Sequence, residues 1–180
     1  MNTTKKELIH NSLQANYFRY MIKMCSIGFG IVFIMGLLTI LICVLDGIAT
    51  WEKAFGALSR ISAIIIPFYL LIAGYYFIKL RFLMFDCDEY VFYKTVLCDK
   101  SDGKIAYFNL YLTDSDGNPI KTRTEKMFGV ADVDWRFHID NWRYKEVVVA
   151  YSKVSKCAFV VQKASDLPTI DLNELNKQKT

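Results

Sequence analysis

The stretch Met24–Leu45, MCSIGFGIVFIMGLLTILICVL, carries no charged residue and decides the fold. A second stretch, Ile61–Ile78 (ISAIIIPFYLLIAGYYFI), has the same character. About 20 apolar residues in a helix are enough to cross the hydrocarbon core of a bilayer. Core helices of soluble proteins usually keep a polar stripe, and these two stretches have none. We therefore predict a transmembrane hairpin at residues 21–85, with spans at about residues 24–45 and 61–80.

Small residues within the two spans predict where another helix packs. They let helix backbones approach closely, and Ser26 and Gly30 form one small-x-x-x-small step. The candidate helix-packing positions are Ser26, Gly30, Gly36 and Gly74.

Lysine and arginine near the spans predict the orientation of the hairpin, because they are enriched on the cytoplasmic side. Four precede the first span and two follow the second, whereas the two in the connection are offset by Asp46 and Glu52. Both termini should therefore face the cytoplasm.

The part after the hairpin holds Cys87, Cys98 and Cys157 without a C-x-x-C pair, which favours reduced thiols rather than a disulfide framework.

Residues 1–20 form an N-terminal amphipathic segment with apolar side chains at roughly helical spacing. Two interpretations remain open for it. It is a short helix on the cytoplasmic membrane surface, or it lengthens the first transmembrane helix.

Residues 86–163 change to short runs of β-branched and aromatic residues, which predict five or six strands. The clearest alternation lies in ADVDWRFHID, residues 131–140, and a hairpin is expected around Lys153-Val154-Ser155. A small antiparallel β-barrel or curled sheet accommodates these runs, so the fold class is an α+β membrane protein. Residues 164–180 form a polar tail that we expect to be poorly ordered.

The stretch DSDGNPIKTRTE, residues 114–125, resembles a calcium loop in its spacing of acidic residues. An EF-hand requires glycine at its sixth position and helices on both sides, but this stretch has Pro119 and is flanked by predicted strands. Asp116-Gly117 between apolar runs instead predicts a β-hairpin.

No enzyme motif is found in the sequence, so we predict a protein without catalytic residues, cofactor or metal site. One local group of charges is a candidate interaction surface, although a solvated strand face would give the same pattern. It consists of the polar face of residues 131–140: Asp132, Asp134, Arg136 and His138. The sequence shows no cluster of lysine and arginine that would indicate binding to nucleic acid.

The ending NWRYKEVVVAYSKVSKCAFVV, with Val147-x-Val149-x-Tyr151, follows an upstream D-x-D-G turn that begins at Asp114. This order resembles bacterial inner-membrane proteins of unknown function that join transmembrane helices to a small β domain. The resemblance covers about residues 92–161 and departs from the family where ADVDWRFHIDN inserts extra residues. It implies a fold type and a location in the bacterial inner membrane, and assigns no functional residue.

The order of parts also resembles antiphage membrane effectors, which join a transmembrane hairpin to a cytoplasmic β-barrel that senses a cyclic nucleotide. Two functions follow as expectations. The first is a non-enzymatic membrane protein whose β domain binds another protein, as an accessory subunit or an immunity-type protein. The alternative is an effector whose β domain senses a small-molecule signal and whose hairpins form homo-oligomers that perturb the lipid bilayer.

Overall fold

The computed structural model of the chain describes residues 5–85, 89–101, 105–114, 116–128, 137, 139–163, 172 and 176. The chain divides into two compact units. One unit joins Met1–Tyr17 to Arg81–Thr180, and the other is Phe18–Leu80.

Among the described residues, three α-helices precede the sheet: α1 (Lys5–His10), α2 (Leu13–Leu45) and α3 (Trp51–Phe85). The helices α2 and α3 are long and apolar enough to span a membrane, and they contain both predicted spans. Helix α2 begins well before Met24, so the second half of the N-terminal segment continues directly into the first long helix. The first half forms the separate helix α1.

A glycine-capped turn closes the connection between α2 and α3. Gly47 has a φ of +70°, which glycine adopts without a steric cost. Its N–H donates to the Val44 carbonyl at 3.1 Å, and the Ile48 N–H donates to the Cys43 carbonyl at 3.0 Å. These two bonds form a Schellman motif, which ends α2 and lets the chain reverse within five residues.

The described part of the β domain contains eight strands, which form a curled half-barrel and a small two-stranded ladder. The half-barrel has the order β1-β7-β8-β5-β4-β2, and β3 pairs with β6. The strands are β1 (Tyr90–Val96), β2 (Asp99–Lys100), β3 (Ile105–Ala106), β4 (Phe108–Thr113), β5 (Pro119–Thr124), β6 (Met127–Phe128), β7 (Glu146–Ser152) and β8 (Cys157–Lys163).

Both predicted hairpins are confirmed. Strands β4 and β5 pair antiparallel across the Asp116-Gly117 turn, and β7 and β8 pair antiparallel across the turn that contains Val154. The prediction of a purely antiparallel sheet is wrong in one place, because β5 and β8 are parallel, with Arg123 opposite Cys157. The two hairpins meet there along strands that run in the same direction, and local alternation carries no information about that meeting.

The prediction of a strand over residues 131–140 is wrong for the part of this stretch that the structure describes, residues 137, 139 and 140. Phe137 and the segment Ile139–Asn141 adopt 3-10 helical structure, and residues 131–136 and 138 lie outside the described residues. The chain reverses here before β7, where Tyr144 has a φ of +59° and its N–H donates to the Leu97 carbonyl at 2.7 Å. Phe137 is still buried, so the apolar position was read correctly although its conformation was not.

The N-terminal segment packs into the β domain, an arrangement that neither interpretation of residues 1–20 anticipated. The side chains of Ile9 and Tyr17 are fully buried, and Gln14 is almost completely buried. The Gln14 carboxamide oxygen accepts a hydrogen bond from the Val160 N–H at 2.9 Å. The Tyr17 hydroxyl donates to the Phe128 carbonyl at 2.8 Å and accepts from the Phe128 N–H at 2.9 Å. Two side chains thus act as hydrogen-bonding partners for backbone groups of β8 and β6.

A side chain from the predicted polar tail satisfies the outer edge of β1 in the same way. The Phe92 N–H donates to the Asn176 side-chain oxygen at 2.8 Å, and the Asn176 amide donates back to the Phe92 carbonyl at 3.1 Å. Because β1 lies at the edge of the sheet that the described strands form, these bonds satisfy two backbone groups that none of those strands reaches.

Candidate functional site: a basic and aromatic sheet face

The predicted interaction surface cannot be placed in the fold. Its residues Asp132, Asp134, Arg136 and His138 all lie outside the described residues.

The candidate helix-packing residues divide into two groups within the helical unit. The Ser26 hydroxyl lies 3.0 Å from the Tyr69 hydroxyl, and a carbon atom of Leu58 comes within 3.8 Å of the position that a Gly36 Cβ would take. Ser26 and Gly36 therefore face α3. No atom of a described residue lies within 4 Å of the corresponding positions at Gly30 and Gly74, so in this part of the chain these two glycines border open space.

The turn that resembles a calcium loop uses its first carboxylate to hold its own backbone. The Asp114 carboxylate accepts hydrogen bonds from the Asp116 N–H at 2.9 Å and the Asn118 N–H at 2.7 Å. The Asn118 side-chain amide donates to the second oxygen at 3.2 Å. Gly117 supplies the positive φ, +84°, that the reversal requires. The carboxylate thus acts as a cap of the turn between β4 and β5.

This cap predicts a pH-dependent hairpin. The pKa of Asp114 lies below its ordinary value, chiefly because the Asn118 N–H donates to the carboxylate. Since the folded pKa is depressed, the stabilisation is present above the unfolded value of about 3.9 and is lost as pH falls through the folded pKa. Carboxyl-carbon NMR of the full-length protein in detergent should find that Asp114 titrates below that ordinary value.

The Asp114→Asn variant supplies the control for this prediction, since it keeps an acceptor oxygen and cannot titrate. In the wild type, the β4 and β5 amides should lose protection from hydrogen exchange as pH falls through the folded pKa of Asp114. In this variant, that acid-dependent loss of protection should be absent. An Asp114 carboxyl that titrates at or above the ordinary aspartate value would contradict the assignment of the cap.

The outer surface of β4 and β5 brings basic and aromatic side chains together. Leu110 and Leu112 point into the core, so the alternating position Tyr111 points outward and is 66% exposed. Lys121 lies directly opposite Tyr111, and Arg123 lies opposite Asn109. We call the resulting surface the basic face and define it by five residues: Tyr107, Tyr111, Lys121, Arg123 and Lys126.

The cations of the basic face lie over its aromatic rings. The Lys121 ammonium lies 5.8 Å from the centre of the Tyr111 ring. The Arg123 guanidinium and the Lys126 ammonium each lie 5.9 Å from the centre of the Tyr107 ring. Contacts at this distance contribute about 0.5–1 kcal/mol at exposed sites and leave the charge available to a partner.

The cations of this face form no ion pair with an acidic side chain among the described residues. Two ion pairs join described residues: Lys94 with Glu146 at 2.9 Å, and Lys100 with Asp140 at 2.6 Å. Neither includes a cation of the basic face. The nearby Asp99 carboxylate accepts from the Asn109 amide at 2.9 Å. The face therefore presents three positive charges beside two tyrosines.

Sequence reasoning missed the basic face, although its components were visible. Lys121 and Arg123 alternate along one predicted strand, and Tyr107 and Tyr111 alternate along the preceding one. The shared surface can be recognised only when the register across the Asp116-Gly117 turn is known, because a shift by one residue would send one set to the opposite face. A register assumed from the turn would have revealed the cluster.

No group of three or more His, Cys, Asp or Glu side chains is arranged to hold a metal ion among the residues that the structure describes. The chain matches no family model, no curated protein and no solved structure.

Proposed function

We propose that the chain is a non-enzymatic integral protein of the bacterial inner membrane that holds its β domain in the cytoplasm. The β domain binds an acidic surface of a partner protein through the basic face, as an accessory subunit or an immunity-type protein. The observation that carries the membrane part is the apolar surface of α2 and α3. The observation that carries the binding part is a set of three cations, none of which forms an ion pair with an acidic side chain among the described residues.

The exposure of apolar side chains on the long helices supports the membrane location. Ile34 and Met35 in α2 are 57% and 58% exposed, and Ile64 in α3 is 74% exposed. Of the most apolar 18 consecutive residues in each helix, none is buried in α2 and only 11% are buried in α3. A soluble monomer rarely exposes a contiguous apolar surface of this kind, whereas a bilayer covers it.

The composition of the basic face supports an acidic protein surface as its ligand. Tyrosine and arginine are enriched where partners dock, because they provide a large contact area together with hydrogen-bond donors. Arg123 offers a planar set of donors that matches a carboxylate in two places. Opposite charge on the partner would also steer association.

Reversing charge on the basic face should abolish partner binding. The variant Lys121→Glu/Arg123→Glu places two carboxylates where the partner's acidic groups dock, and like charges at an interface cost several kcal/mol. We expect the co-purifying protein to fall to background when the tagged full-length chain is extracted from its host in mild detergent. Quantitative mass spectrometry of the eluate measures this loss.

A matched control changes the same amount of charge elsewhere on the domain, in Lys145→Glu/Lys153→Glu. This control should retain the partner, and both variants should keep the wild-type melting temperature within a few degrees. Equal recovery of the partner with both variants would refute the basic face as the docking surface.

The open surface at Gly30 and Gly74 favours a second candidate function, the signal-gated effector. Small residues that border open space let a second hairpin approach closely, and oligomerised hairpins would perturb the bilayer. Depolarisation of cells that overexpress the chain together with its signal would support this function over the accessory subunit.

A further inference from the structure

Two adjoining cavities lie along the helical hairpin near the α2–α3 connection. The larger one has a volume of 390 Å³, and its lining comes from both helices and is mostly apolar. Its lining includes Phe33, Gly36, Ile40, Ala54, Leu58 and Ile61. The smaller one has a volume of 350 Å³ and is lined by Glu52, Lys53, Gly56, Ala57 and Arg60 of α3. Lys53 and Ala57 line both cavities, so the apolar groove and the charged cavity adjoin at these two residues.

The charged cavity can accept an anionic group. Lys53 and Arg60 are seven residues apart, close to two turns of α3, so they lie on the same side of the helix. Gly56 and Ala57 lie between them and occupy little space. Both cations are exposed, and neither takes part in the two ion pairs that join described residues. Glu52 adds one carboxylate to the same cavity.

We propose that these cavities bind one glycerophospholipid, with an acyl chain in the apolar groove and the headgroup phosphate between Lys53 and Arg60. The groove has the size of a small-molecule site, about 300–1,000 Å³, and offers an apolar chain a lining of aliphatic and aromatic carbon. Ammonium and guanidinium groups form short, charge-assisted hydrogen bonds to phosphate. Glu52 faces the ammonium of an ethanolamine headgroup, so both headgroup charges meet an opposite charge.

The site deepens the proposed function and rests on its membrane location, because the bilayer supplies the ligand. A lipid held between α2 and α3 fills the space beside their connection and makes the hairpin a composite of protein and lipid. The basic face plays no part in this inference, so the lipid site and the proposed docking surface can each fail alone.

Native mass spectrometry of the delipidated full-length protein in mild detergent tests the site with two probes. One probe is phosphatidylethanolamine, and the other is a diacylglycerol with the same acyl chains and no phosphate. The wild type should retain one phosphatidylethanolamine and much less diacylglycerol. Lys53→Ala/Arg60→Ala should weaken retention of the phospholipid about tenfold, since it removes charge-assisted bonds. Ala57→Phe, which fills the junction of the two cavities, should weaken retention of both probes.

Two controls make the outcome decisive. Lys23→Ala/Lys79→Ala removes two cations that line neither cavity and should leave retention unchanged. Circular dichroism should show the same helix content in all variants. Equal phospholipid retention by wild type and Lys53→Ala/Arg60→Ala overturns the site, as does unchanged retention in Ala57→Phe, because lipid then adheres to the general apolar surface. A lipid-free homo-oligomer with the groove protected from chemical labelling also overturns it. A chain that is not extracted with the membrane fraction would instead refute the proposed function.

Discussion

Replacing Tyr17 by alanine is expected to destabilise the β domain by about 3–5 kcal/mol, the range for removing a large buried ring. The Tyr17 side chain is fully buried and packs edge-on against Phe137, with ring centres 5.7 Å apart. Its hydroxyl satisfies both the N–H and the carbonyl of Phe128. The substitution therefore leaves a cavity and also strips two backbone groups of their partner. Hydrogen exchange of the β7 and β8 amides, measured on the full-length protein in detergent, reports the loss as a lower free energy of opening.

Two further variants separate the cavity from the hydrogen bonds. Tyr17→Phe keeps the ring and should cost about 1–3 kcal/mol, because only the hydroxyl partner of β6 is removed. Tyr111→Ala removes an exposed tyrosine of the same domain and should cost less than about 1 kcal/mol. If Tyr17→Ala exchanged no faster than Tyr111→Ala, the docking of the N-terminal segment would be wrong.

Replacing Met35 by arginine is expected to disfavour membrane insertion of α2 by about 2.5–3.5 kcal/mol, a factor of about a hundred. Met35 lies at the middle of the uncharged stretch, and its side chain is exposed on the helix surface. In a bilayer an exposed central position meets hydrocarbon, where a guanidinium is costly. In water the same substitution would be neutral or stabilising. The fraction of the chain that resists alkaline carbonate extraction should therefore fall sharply.

Met35→Leu is the matched control and should remain in the membrane fraction like the wild type. If α2 were instead a helix of a soluble protein, Met35→Arg would leave the carbonate-resistant fraction unchanged and would increase the solubility of the chain. That outcome would overturn the membrane location and, with it, the function proposed for the chain.

Most of the local structure could be predicted from the sequence, because it depends on residues close to one another. The uncharged stretches predicted the two long helices, and the runs of β-branched and aromatic residues predicted a domain of short strands. The Asp116-Gly117 pair predicted its hairpin because glycine supplies the positive φ of the turn. The failure over residues 137 and 139–140 has a local cause too, since a short 3-10 turn can bury one apolar residue as well as a strand can.

The candidate site was less predictable than the fold. The local pattern favoured residues 131–140, where charges alternate in one continuous run. The basic face instead lies along two strands, and the apolar groove is lined by two helices. Such sites depend on register and on which residues of separate elements meet, so a scan along one segment does not find them.

The sequence by itself determined the class of the protein: two long apolar helices, then a domain of short strands with two hairpins. Tertiary structure alone decided the parallel meeting of β5 with β8, the bonds from Gln14 and Tyr17 to β8 and β6, and the placement of Asn176 on β1. The physical reason is sequence separation. Gln14 and Val160 are 146 residues apart, and Tyr17 and Phe128 are 111 apart. The need for these side-chain bonds arises only when the sheet forms, because some backbone groups are then buried without a partner from a described neighbouring strand.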